Sequence, residues 1–197
     1  IHSRCSVEVI ICPTAEQASA LTGQLVADLV RYKPGSVLGL ATGRTMDSVY
    51  AALREKHRSE GLDFSHTVTF NLDEYIGIPA SHPQSYRSTM ENSLFKHINV
   101  KPNNTHLPDG MATDLDAECR RYEQEMARAG GIDLQLLGIG LNGHLAFNEP
   151  LSSLSSRTSS RIGSFLSAIS AAMGRSTAAT RFPWARSMKS WLSHEPW

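Results

Sequence analysis

Three short stretches hold the residue types that carry acid–base and phosphate chemistry. In "LLGIGLNGHLAFNEP", residues 136–150, an apolar run breaks into Gly138, Gly140 and Gly143. His144 follows at once, and Glu149 lies five positions further on. Glycines there permit positive φ and close backbone approach to a ligand. An imidazole beside them can pass protons near neutral pH, and a carboxylate can orient the ring or titrate with it. In "NLDEY" the carboxylates of Asp73 and Glu74 are adjacent. Such a pair can supply a general base whose pKa is tuned by burial and by its neighbour, although a solvated turn would use the same residues. In "ATGRT" the hydroxyls of Thr42 and Thr45 flank Gly43 and Arg44. Where a strand turns into a helix, free N–H groups and the helix dipole favour phosphate. The stretch is neither a Walker loop nor a dinucleotide fingerprint, so a plain tight turn stays open beside phosphate binding. Asp73, His144 and Glu149 have no metal-ligand spacing, and no metal is expected.

The elements that must position these loops follow from pattern. Val7 to Ile11 is a β-branched run and reads as a first strand. Thr14 and Gln17 form a capping box for a helix to about Tyr32, with Ala18, Leu21, Leu25, Leu29 and Val30 as its apolar face. Ser36–Leu40 reads as a strand, followed by a helix to about Ser59 that Gly61 stops. A strand ends at Leu72, a helix spans about Ser85 to His97, and Thr113 is expected to cap the next helix. Ile132–Leu137 reads as the strand that runs into the glycine-rich stretch. Strands alternating with helices, without hairpin dipeptides, imply crossovers and a mainly parallel sheet with helices on both faces, a three-layer α/β fold of Rossmann-like type. Ligands of such sheets bind at the rim of strand C-terminal ends. All three loops are expected there.

The 197 residues fit one domain. Nineteen basic and nineteen acidic residues balance, so no bulk charge draws nucleic acid or an anionic membrane. No apolar run approaches membrane-spanning length, and the opening residues do not read as a signal peptide. Cys5, Cys12 and Cys119 are odd in number and lack C-x-x-C spacing, which fits a reducing, cytoplasmic compartment. The absence of an initiating methionine at Ile1 hints at a fragment or a processed start. After Thr158 the composition changes: residues 151–197 hold thirteen serines and one acidic residue, Glu195, and show no period. The expected organisation is a domain over 1–158 and an irregular tail over 159–197.

"VLGLATGRT", "VTFNLDEYIGIPASHPQSY" and "GIGLNGHLAFNEPLSSLSSRT" resemble the glucosamine-6-phosphate deaminase family, from about Thr14 to Thr158. The resemblance implies conversion of glucosamine 6-phosphate and water to fructose 6-phosphate and ammonia, with no metal or organic cofactor. It implies that Asp73 moves a proton between C2 and C1, and that His144 handles the proton of ring opening with Asn142 and Glu149 in support. Thr42, Gly43, Arg44 and Thr45 would hold the 6-phosphate. The partner is then a small amino-sugar phosphate. The family contains monomers and hexamers, so a homo-oligomer stays open.

Three departures stand out. Position 142 is Asn where many members carry Asp, and an amide cannot titrate. Arg44 replaces a residue that is usually small. Beyond Thr158 the likeness stops, which points to a truncated domain, through a shifted reading frame or an aberrant end. Three alternatives remain: a 6-phosphogluconolactonase, a sugar-phosphate-binding domain of a regulator, and a deaminase that has lost turnover.

Overall fold

The computed structural model describes residues 8–144 in full and the strands at 159–162 and 165–167 by their backbone. Helix α1, Ala15–Tyr32, starts where Thr14 accepts a hydrogen bond from the Gln17 amide at 3.2 Å, as the capping pattern requires. Strand β1, Val37–Leu40, is buried at all four positions. Helix α2, Arg44–Glu60, ends at Gly61 in the left-handed conformation. Strand β2, Val68–Asn71, leads after a bend at Leu72 into β3, Asp73–Tyr75. Helix α3 is Tyr86–Ser93, followed by a 3-10 turn over Phe95–His97. Strand β4, Thr105–His106, helix α4, Leu115–Arg128, and strand β5, Leu134–Gln135, complete the main body.

One sheet has the order β4-β2-β1-β5, and every pair in it is parallel. Parallel neighbours need crossovers, and the helices supply them. Because side chains alternate across a strand, the sheet splits its residues between two cores. Leu38 and Leu40 pack with Val26 and Val30 of α1 and with Val49 and Leu53 of α2. Val37 and Phe70 pack with Tyr122 and Met126 of α4. Helices therefore cover both faces, and the three-layer arrangement is the one expected. Strand β3 leaves this sheet and pairs antiparallel with β7, Phe165–Ser167, which in turn pairs with β6, Ser159–Ile162.

Several expectations need correction. Residues 8–11 of the expected first strand carry no strand, and Val9 and Ile11 are 77% and 88% exposed. β-Branched residues favour a strand only where a neighbour receives it, and none does here. The buried face of α1 runs through Ser19, Gly23, Val26, Ala27 and Val30 besides Leu29; Ala18 is exposed. The close α1–α2 crossing sets that rotation: a Cβ on Gly23 would lie 3.0 Å from the Ala52 Cβ. The cap of α4 is Asp114, whose Oδ1 accepts from the Ala117 amide at 2.9 Å, one residue after the expected Thr113. The tail, expected to be irregular, contributes β6 and β7. Among the described residues no helix is long and apolar enough to cross a membrane.

Candidate active site

With β1 between β2 and β5 and all three parallel, their C-terminal ends open on one rim. Residues 41–43 leave β1 there, Asp73 follows β2, and the glycine-rich stretch follows β5. The order of the strands alone brings the three predicted loops to one edge.

The first loop enters α2 through Gly43, at φ 129° and ψ 156°, a conformation that residues with a Cβ rarely adopt. No side chain caps this helix N-terminus. Thr42 is half-buried, while Arg44 and Thr45 are exposed. Tyr50, one and a half turns into α2, donates its hydroxyl to the Ala41 carbonyl and so fixes the turn from below.

At the second loop the two adjacent carboxylates have separate fates. Glu74 is 3% exposed and collects backbone amides: Oε1 accepts from Tyr75 at 2.9 Å and Tyr86 at 2.8 Å, and Oε2 from Arg87 at 2.9 Å. Two of these amides open α3, so Glu74 works as a charged cap set against the helix dipole. Asp73 is 4% exposed, and its Oδ1 has no hydrogen-bond partner. Burial, and secondarily the charge of Glu74, push its carboxyl up to about 7. A carboxyl at that value can give and take a proton near neutrality. The sequence pattern left both acids as candidates for the base; the geometry separates them.

The third loop is closed by the Gly140 amide donating to the His144 carbonyl and the Gly143 amide donating to Gly140, both at 2.9 Å. Of its three glycines only Gly143 has positive φ, at 88°. Gly140 serves a different end: a Cβ there would lie 2.1 Å from His144 Cε1, so the imidazole rests where a side chain would be. His144 Nδ1 lies 2.5 Å from Asn142 Oδ1, and the His144 amide donates to the same oxygen at 3.2 Å. An amide oxygen only accepts, so Nδ1 carries the hydrogen and Nε2 keeps the free lone pair. Asn142 thus sets the tautomer without a charge. Glu149 lies outside the described residues.

Sequence reasoning missed Tyr86. Its hydroxyl meets that of Thr42 and donates to Tyr75 at 3.3 Å, and Asp73 acts on it electrostatically. Burial raises its pKa, with the Tyr75 contact next in size and Asp73 adding to both. Tyr75 and Tyr86 face each other at 4.7 Å between ring centroids and line a cleft of 480 Å³ with Ile76, Ile78 and Gln84. Tyr86 therefore ties the phosphate-type turn to the strand of Asp73. The signal was present in "SHPQSY", where a helix cap precedes an aromatic, but no periodicity points to it. Among the described residues no three His, Cys, Asp or Glu are grouped to hold a metal ion.

A family model described as glucosamine-6-phosphate isomerases/6-phosphogluconolactonase matches residues 13–152. A glucosamine-6-phosphate deaminase of Thermoanaerobacter sp. is 49% identical over 152 residues, 77% of this chain and 60% of that protein. Glucosamine-6-phosphate deaminase 1 of Giardia intestinalis is 57% identical over 133 residues, 68% of this chain and 50% of that protein. A solved structure of a monomeric glucosamine-6-phosphate deaminase superposes with a TM-score of 0.75 at 46% identity, covering 78% of this chain and 64% of that one. The chain thus spans 50–60% of the length of these two curated relatives.

Proposed function

The chain belongs to the family of glucosamine-6-phosphate isomerases and 6-phosphogluconolactonases, and from that membership we propose that it is a glucosamine-6-phosphate deaminase of amino-sugar catabolism. The reaction would take glucosamine 6-phosphate and water to fructose 6-phosphate and ammonia. The observation that carries this reading is Asp73: a buried carboxyl pushed up to about 7, on the rim that also holds the turn from Thr42 to Thr45.

Each step needs a group of this kind. The 6-phosphate is held by the uncapped N-terminus of α2, with Thr42, Thr45 and the Arg44 charge about it. His144 takes the ring hydroxyl proton through Nε2, the nitrogen that Asn142 leaves free; the family resemblance gives Glu149 a supporting part in this step. Asp73 then removes the C2 proton and returns it to C1, which moves unsaturation onto the C2–N bond. Water adds there, and ammonia leaves. Enolisation calls for a base near pKa 7, and desolvation brings a carboxyl to that range.

The test uses the chain as given, assayed for ammonia release from glucosamine 6-phosphate and for hydrolysis of 6-phosphogluconolactone. Asp73→Asn should lower ammonia release by ~10²–10⁴-fold, the usual worth of a general base. Hydrolysis of the lactone without ammonia release from the amino sugar would overturn the reading. So would full deaminase activity in the Asn variant.

A further inference from the structure

Tyr86 opens α3, and its place in the fold does not depend on its hydroxyl. Its amide donates to Glu74 Oε1 at 2.8 Å, and its ring faces that of Tyr75 at 4.7 Å between centroids. The preceding residue, Ser85, is fully buried, accepts from the Ser88 amide at 3.0 Å and donates to the Ala80 carbonyl at 2.8 Å. A phenylalanine at position 86 would keep every one of these contacts.

The hydroxyl has a separate task. It donates to the Tyr75 hydroxyl at 3.3 Å and is hydrogen-bonded to the Thr42 hydroxyl. Burial, then the bond given to Tyr75, hold the Tyr86 phenol above its ordinary value. The Thr42 contact pulls it down, as a bond donated to the phenol oxygen does. Thr42 therefore gives its hydrogen to Tyr86, and Tyr86 gives its own to Tyr75. Thr42 directly precedes Gly43, the N-cap of α2, yet no side chain caps that helix. The Thr42 hydroxyl is committed to Tyr86 instead.

Each hydroxyl holds one hydrogen and two acceptor lone pairs. A phosphate seated at the turn presents acceptor oxygens, and a charge-assisted bond is roughly twice as strong as one between neutral groups. Once Thr42 turns its hydrogen to the phosphate, it can only accept from Tyr86. Tyr86, with one hydrogen of its own, can donate to Thr42 only by releasing Tyr75. We propose that Tyr86 is a positioning residue for the phosphate turn: the relay from Thr42 through Tyr86 to Tyr75 reverses its first link on binding phosphate, and Tyr86 then holds Thr42 in the orientation that donates to the anion. The proposal deepens the reading of Thr42 as a phosphate ligand and rests on it. The Tyr75 oxygen, on the wall of the cleft, recovers a lone pair in the exchange.

The probe is inorganic phosphate, titrated into the unaltered chain with carbon-13-labelled tyrosine followed by NMR. The Cζ resonances of both Tyr86 and Tyr75 should move. In Tyr86→Phe the movement at Tyr75 should vanish while phosphate still binds, about three- to tenfold more weakly, the worth of one hydrogen bond. Thr42→Val should weaken binding further, and adding Tyr86→Phe to it should cost nothing more, because the two hydroxyls act as one unit. With glucosamine 6-phosphate as substrate, Tyr86→Phe should raise KM and change kcat less, the mark of lost uniform binding. A Tyr75 resonance that stays still in the unaltered chain, or moves equally in Tyr86→Phe, overturns the proposal, as do additive losses in the double variant. The two readings fail separately. An unaltered chain that binds no phosphate removes the phosphate turn and this proposal with it. Binding that is lost in Thr42→Val but indifferent to Tyr86→Phe leaves the turn in place and removes only the role of Tyr86.

Discussion

Replacing Asp73 by Asn should make the protein more stable above pH 7 and leave it unchanged near pH 4. The carboxyl has an ordinary value of 3.8 when the chain is unfolded and about 7 in the fold. The folded state therefore binds the proton more tightly. The protonated acid's contribution to stability is complete below about pH 4 and is lost as pH rises through 7. Above that the buried charge is a standing cost. The gap of about three pH decades, at roughly 1.4 kcal/mol each, sets this cost near 4 kcal/mol at pH 8. Half of that would shift the melting temperature of a domain this size by roughly 4–8 °C. Asn has the shape of the protonated acid and carries no charge. Thermal melts of the two proteins should thus diverge steadily from pH 4 and run parallel above about pH 7. The other carboxylates titrate in both proteins and cancel in the difference. A gap independent of pH, or an Asn variant less stable at pH 8, would refute the claim that desolvation governs Asp73.

Three further outcomes follow from the same geometry. On the proposed function, the rate of ammonia release should rise with pH through about 7, because only an ionised Asp73 could accept the C2 proton; a rate profile from pH 5.5 to 8.5 reads this directly. Glu74→Gln replaces a carboxylate that holds three backbone amides. Hydrogen bonds to charged groups are worth roughly 1.5–3 kcal/mol each, so the melting temperature should fall. The acid limb should also move to lower pH, by less than the part that burial contributes. Gly140→Ala places a methyl 2.1 Å from His144 Cε1. The ring must then swing off Asn142, so turnover of cyclic substrate should drop further than that of the open-chain form, with little change in melting temperature.

The parallel α/β order was legible because it rests on long-period signals: apolar faces, a capping threonine at Thr14, a stopping glycine at Gly61. What failed were elements whose state depends on a neighbour. Residues 8–11 have strand composition and no strand to join. Ile132–Leu137 reads as a strand of six residues, yet only Leu134 and Gln135 pair. Strand β7 lies in a serine-rich segment without periodicity and is defined only by its partners β3 and β6. Pairing of this kind leaves no trace in a one-dimensional pattern.

At the candidate site the residue pattern offers the acids but not the difference between them. "DEY" offers two acids that composition treats as equal. Their difference arises one step later, when the chain bends at Leu72 and the start of α3 is laid against β3. Glu74 then meets three N–H groups, while Asp73 is enclosed with one oxygen unpartnered. The same charge that caps α3 adds to the desolvation that raises Asp73. One acid is stabilised by the backbone so that it can hold the helix in place; the other is left without such support, and that deprivation brings it to a proton affinity at which it can work as a base. The proton affinity of Asp73 is thus partly built from the structural role of its neighbour, and substitution at either position should be felt at both.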